Sequence, residues 1–196
     1  HGFAAEYETS SFSLSASPVA SENGHMQRDG WYHVTRKRAR LDSPEEIGMT
    51  AARRALRRLG ARQVKTCQVP VIFDPEMAAS LVGHVAGAVA GPALYRGASF
   101  LLDKLGQQIA APGVTIVDDG TIPGGLGSRP FDGEGLSVLR TVIVDKGVLT
   151  SYLLDTYSGR KLGMASTHHA ARSGSGVTVG TTNLYLANGA ADPKDL

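Results

Sequence analysis

An α+β fold, rich in antiparallel β-sheet and with two main helices packed on the sheet, is what this 196-residue sequence predicts, on three observations. Short alternating apolar and polar runs stand beside turn signals near both ends of the chain. Two longer segments open with helix-start signals, and a stretch dense in glycine, proline and acid leads directly into a hairpin pattern. Strand runs segregated from helices in this way point to α+β architecture rather than to alternating βαβ units.

The elements follow in order. Residues 2–38 mix Ser, Thr, Tyr, Phe and Val around an Asn23-Gly24 turn. The alternation in Phe12-Ser-Leu-Ser-Ala and Trp31-Tyr-His-Val-Thr predicts half-buried antiparallel strands there. Over 43–59, Ser43 stands as N-cap, Pro44 at the first helical position, Glu46 as the return arm of a capping box, and Gly60 as the stop. Ala51, Ala52, Ala55, Leu56 and Leu59 share the apolar face of that helix, and Arg53, Arg54, Arg57 and Arg58 form a solvated basic back. Gln68–Phe73 reads as a short strand. Asp74-Pro75 then opens a second helix reaching about Ala90, with Met77, Ala78, Leu81, Val82, Val85 and Val89 as its apolar stripe. Its other face is small: Gly83, Gly87 and Gly91 recur every four residues, which predicts close packing of another backbone, within the chain or across subunits. Beyond residue 113 strands and turns return, with Asp145-Lys146-Gly147 as a hairpin turn and a short helix around Thr156 to Leu162.

Residues 117–135 hold six glycines, two prolines and four carboxylates. Glycine permits close backbone approach and proline fixes φ, so this run reads as a shaped loop rather than a solvated linker. Its carboxylates Asp118, Asp119, Asp132 and Glu134 match no calcium-loop spacing and are expected to cap backbone amides or to pair with Arg129. A loop of this kind also offers a contact surface: Asp118, Asp119, Arg129, Asp132 and Glu134 are the candidate residues for gripping a peptide or a partner, for instance by strand addition at a sheet edge.

Bulk properties exclude several classes. With 20 basic and 18 acidic residues and a formal charge of +2, no nucleic-acid surface is expected. One cysteine, Cys67, excludes an internal disulfide and fits a reducing, cytoplasmic setting, where a buried or half-buried inert thiol is the expectation. No apolar run is long enough to span a membrane. The serines of the opening segment lack a nucleophile-elbow context and read as the polar face of strands. His84 lies at the margin of an apolar stripe and is expected to be a hydrogen-bonded core residue, and His168-His169 to be a surface-loop pair pointing apart. The length suits one domain, and an opening at His1 with no closing element near Leu196 reads as part of a longer protein.

The loop at 117–135, the hairpin after it and Asp155-Thr-Tyr-Ser-Gly-Arg-Lys-Leu-Gly163 occur here in an order that resembles the TldD/PmbA family of metalloproteases, more narrowly its PmbA (TldE) branch. Gln27-Arg28-Asp29, Ser43-Pro-Glu-Glu-Ile-Gly48, Ser99-Phe-Leu-Leu-Asp-Lys-Leu-Gly-Gln-Gln108 and Thr182-Asn183-Leu-Tyr-Leu186 extend the likeness along nearly the whole chain. The resemblance implies that residues 1–196 are part of a single C-terminal β-rich domain, with the family's N-terminal α/β domain absent. In the catalytic branch a helix carries His-Glu-x-x-x-His, two imidazoles for zinc and a glutamate to activate water. The corresponding helix here has only His84. Taken as the first histidine, it is followed by Val85 and Val89 where glutamate and the second histidine belong; taken as the second, Ala79 and Ser80 stand in their places. The resemblance therefore implies no catalytic residue, metal ligand or cofactor on this chain, with zinc in a TldD-like partner subunit and unfolded peptide as substrate. Family members are also named modulators of DNA gyrase, so the alternative is a non-proteolytic module that binds gyrase or another partner.

Overall fold

The computed structural model describes residues 2–174 and 176–189. Where the chain length predicts one domain, these residues gather into two units, one of Glu8–Pro70 and a larger one of His1–Tyr7 with Val71–Leu196.

In the smaller unit, β1 (Phe12–Ala16) pairs antiparallel with β4 (Trp31–Thr35), Phe12 opposite Thr35 and Ala16 opposite Trp31. Between them β2 (Val19–Glu22) and β3 (His25–Arg28) form a hairpin whose turn residues Asn23 and Gly24 have φ of 50° and 80°. Such a pair of positive φ values matches the strand twist, which is why Asn-Gly marks hairpins. Against these strands lies α1 (Pro44–Arg57). Its capping box is complete: Glu46 N–H donates to Ser43 Oγ at 3.2 Å, and Ser43 N–H donates to Glu46 Oε2 at 3.1 Å.

The face α1 buries is Ile47, Ala51 and Ala55, and Leu56 is exposed, contrary to the sequence reading. A track of residues four apart faces the strands, and Leu56 lies one step of about 100° round the helix from it. Arg54 also departs from the expected solvated back. Its guanidinium lies 5.1 Å from the Trp31 ring centroid, and with Arg58 it flanks Asp29 at 3.5 and 3.6 Å. The Gly30 N–H on Asp29, opposed by burial and assisted by these two arginines, holds the Asp29 carboxyl below the usual aspartate range.

The larger unit is built on a four-stranded antiparallel sheet in the order β10 (Leu184–Leu186), β5 (Ile116–Asp119), β6 (Arg140–Asp145), β7 (Val148–Leu149). Lys146 and Gly147, at φ 47° and 85°, make the β6–β7 turn. A separate hairpin joins β8 (Ala170–Ser173) to β9 (Gly176–Val179). The core comprises Val89, Leu94, Leu101, Ile116, Ile143, Val144, Leu149, Leu153 and Leu154, all buried. Three helices pack around it: α2 (Pro75–Ala88), capped by Asp74, which contacts β10; α3 (Gly91–Tyr95); and α4 (Thr156–Leu162), capped by Asp155 and closed by Gly163 at φ 67°.

Two expectations between residues 68 and 90 are corrected. Gln68–Phe73 forms no strand and leaves Val69, Val71 and Ile72 exposed, because strand propensity is realised only where a neighbouring strand supplies ladder partners. On α2 the buried side is Val82, Val85 and Ala86, continued by Val89, whereas Met77 and Leu81 stay 60% and 48% exposed. Of the small-residue series, Gly83 and Gly87 face open space, and only Gly91 is closely packed, against Ser158 and Leu154. Among the described residues no helix is long and apolar enough to cross a membrane.

Candidate functional site

The chain between β5 and β6 is held in shape by side chains far away in sequence. Asp118 is fully buried and accepts the Thr182 N–H at 2.8 and 3.0 Å and the Thr182 hydroxyl at 2.7 Å. His169, also buried, places Nε2 3.2 Å from Asp118 Oδ2 and Nδ1 2.9 Å from Thr167 Oγ1. A buried carboxylate is tolerable only with several such donors. Asp119 accepts from the backbone and hydroxyl of Thr121 at 2.9 and 2.6 Å and lies 3.8 Å from Arg140. Asn183 then clips the loop to the sheet edge: its Oδ1 accepts the Gly127 N–H at 2.8 Å, and its Nδ2 donates to Asp119 O at 2.6 Å and Ser128 Oγ at 2.8 Å. Gly127 passes so close to the Thr182 backbone that a β-carbon there would overlap it, which is the physical demand for glycine.

Further along, Asp132 accepts three backbone N–H groups, those of Glu134 (2.9 Å), Leu136 (3.0 Å) and Ala170 (3.1 Å). Glu134 Oε2 accepts the N–H and hydroxyl of Thr156 at 2.9 and 2.6 Å, at the start of α4, where a negative charge also meets the helix dipole. All four carboxylates thus hold backbone or hydroxyl donors. Arg129 takes no part in this: its Nε and Nη2 are buried and find no hydrogen-bond partner among the described residues. The expected pairing of Arg129 with the loop's acids does not form: backbone amides, hydroxyls and His169, several of them distant in sequence, face those carboxylates instead.

Beside Asp132 and Glu134 opens a cleft of about 410 Å³, lined by Phe131, Gly133, Gly135 and Arg172 and by the extended segment Phe3-Ala4-Ala5. Phe3 and Tyr7 both stand edge-on to Phe131, with ring centroids 5.2 and 5.3 Å away and interplanar angles of 79° and 87°. Gly135, at φ 87°, lies under the Phe3 ring with no room for a side chain. Arg172 donates to Gly133 O at 3.1 Å and steadies the cleft wall.

The candidate contact residues are therefore divided by the structure. Asp118 and Asp119 are interior anchors, Arg129 is a partly occluded cation, and Asp132 and Glu134 support a surface cleft. Gly83, Gly87 and Gly91 lie elsewhere, on α2 and at the start of α3. His84 is exposed, with Nδ1 2.6 Å from Ser80 O of its own helix, so the expected core histidine is corrected. His168 and His169 do diverge, but they are not a surface pair: half-buried His168 places Nδ1 2.7 Å from Ser137 O, while His169 is interior. Cys67 is exposed rather than buried. Among the described residues no three His, Cys, Asp or Glu side chains converge as a metal site, and the donors on α2 do not fit zinc.

The sequence reading missed Phe131, His169, Thr182 and Asn183 as parts of one assembly. Phe131 is the lone aromatic of residues 117–135, a readable signal; the other three declare themselves only through pairings more than 50 residues long.

Residues 66–196 match the family model described as PmbA/TldA metallopeptidase C-terminal domain, and residues 1–59 match that of its central domain. The chain is 45% identical over 170 residues to Metalloprotease PmbA of Escherichia coli O157:H7, covering 87% of this chain and 38% of that protein. It is 38% identical over 170 residues to a Metalloprotease PmbA homolog of Haemophilus influenzae, again covering 87% of this chain and 38% of that one. It therefore spans less than half the length of these relatives. Among solved structures, a protein of Bacteroides thetaiotaomicron described as a candidate modulator of DNA gyrase superposes with a TM-score of 0.85 at 32% identity, over 96% of this chain and 41% of that one.

Proposed function

Since the chain belongs to the PmbA/TldD metallopeptidase family, we propose that it acts as the subunit without zinc in a heterodimeric metalloprotease that processes unfolded peptides, zinc and the catalytic glutamate residing in a TldD-like partner. The observation that carries this reading is α2. At the place where the catalytic branch needs two imidazoles and a carboxylate, α2 offers one exposed His84 bound to its own helix, flanked by Val85 and Val89. Hydrolytic zinc takes three protein ligands and one water, and a single imidazole cannot supply that set. The partner's zinc would polarise the scissile carbonyl and activate water. This chain's residues would hold and orient peptide: the 117–135 loop presents a wall fixed by Asp132, Glu134 and Asn183, ready for an extended chain without further ordering. A cytoplasmic setting is part of the proposal and suits a chain whose one cysteine is exposed.

The second reading, a non-proteolytic module acting on gyrase, draws on the description of the Bacteroides thetaiotaomicron protein. Peptide cleavage by the full-length protein, alone and mixed with a TldD-like subunit from the same source, separates the two. Activity and bound zinc are expected only in the mixture and lost with a chelator. Cleavage by this protein alone would overturn the proposal, and gyrase binding with no cleavage in either sample would favour the second reading.

A further inference from the structure

The segment Phe3-Ala-Ala-Glu-Tyr7 is placed unusually. It has no regular secondary structure, and each of its residues is exposed, yet it clusters with the larger unit, whereas the residues directly after it belong to the smaller one. Among the described residues no hydrogen bond or ion pair fastens Phe3 or Tyr7 to the cleft. What holds them is the pair of edge-on ring contacts with Phe131 and the space left by Gly135. Two ring pairs are a weak hold against the entropy of ordering five residues, so this occupant is displaceable.

The wall beneath it is of the opposite kind. Asp132 uses both carboxylate oxygens on three backbone N–H groups, Glu134 is tied to Thr156, and Arg172 is tied to Gly133. A rigid receptor surface with an aromatic post, seating a loosely held extended segment with a ring at each end, has the layout of a peptide groove whose anchors are rings. The cleft of about 410 Å³ is the space that remains beside the segment, with Phe3, Ala4 and Ala5 as one wall, so the groove is wider still once the segment leaves.

We propose that the surface around Phe131 is a binding groove for extended, unfolded peptide segments carrying two aromatic residues four apart, and that the chain's own Phe3–Tyr7 segment covers the Phe131 ring in the absence of such a peptide. This rests on the peptide-processing reading and gives it a substrate class: aromatic-bearing unfolded chain. Because the tethered segment must leave first, the apparent affinity for a free peptide is lowered by the fraction of time the groove is empty. Folded proteins bury their aromatic residues and would be passed over.

The test uses the full-length protein without partner or zinc. Fluorescence anisotropy is recorded with a labelled peptide of sequence Phe-Ala-Ala-Glu-Tyr and with a control in which both aromatic residues are alanine. The expected result is at least tenfold tighter binding by the Phe3→Ala/Tyr7→Ala variant than by the unsubstituted chain, with no binding of the control peptide. Adding Phe131→Leu to the double variant should abolish binding, and a far-ultraviolet circular dichroism melt unchanged within a few degrees would show that the fold survives. Equal affinity in the unsubstituted and double variants, or full binding without the Phe131 ring in a folded protein, would overturn the proposal. The cleavage assay with a TldD-like partner is independent of this readout, so either reading can fail while the other stands.

Discussion

Asp118 has no accessible surface, and its charge is balanced by donors from two distant segments, Thr182 and His169. Replacing it by Asn keeps the shape, but it weakens the bonds to both donors and turns an NH2 toward groups that donate. Asp118→Asn is expected to lower the stability of the larger unit by about 2–3 kcal/mol, read as a shift in the urea midpoint with unchanged slope. Little of this was legible in the sequence. That acids in a glycine-rich run would cap amides follows from local chemistry and holds for Asp119 and Asp132, each of which accepts from an amide two to four residues away. The partners of Asp118 are 51 and 64 residues away, and nothing in a local pattern selects them.

At the scale of elements, helix starts were the most readable feature because every group involved lies within one turn. Ser43 with Glu46 and Asp74 before Pro75 are found as expected, and Asp155 caps the short helix in the same way. Helix faces were less readable: α2 is apolar over much of its circumference, so composition alone could not say which side meets β10. The Gly83, Gly87 and Gly91 series shows how one spacing hides two situations. Gly87→Ala meets open space within this chain and is expected to stabilise the helix by roughly 0.5–1 kcal/mol through propensity. Gly91→Ala would drive a methyl into Ser158 and Leu154 and is expected to cost about 1–3 kcal/mol by overpacking. Thermal melts of the two variants should move in opposite directions; a loss in Gly87→Ala confined to the assembled complex would locate a partner on that face.

For the molecule as a whole, the two units have unequal resources. The buried apolar set of residues 8–70 is Ala20, Ile47, Ala51 and Ala55, whereas the larger unit has a continuous cluster from Ala86 to Leu154. Burial energy scales with apolar area, so the smaller unit is expected to open first. Ile47→Ala, a loss of about 2–4 kcal/mol at a site 1% exposed, should strip amide-exchange protection from α1 while β5 and β6 keep theirs. Simultaneous loss in both would show that they unfold as one.

The pairing of β10 with β5, Leu184 opposite Asp118, also sets an order of events as the chain folds. Closing so long a stretch is slow and comes late, and until β10 arrives the Asp118 carboxylate is still hydrated by water. Its burial is therefore a step after the folding barrier rather than before it. Asp118→Asn should leave the refolding limb of a chevron nearly unmoved and raise the unfolding limb without changing its slope, so that the native state is shorter-lived rather than slower to form.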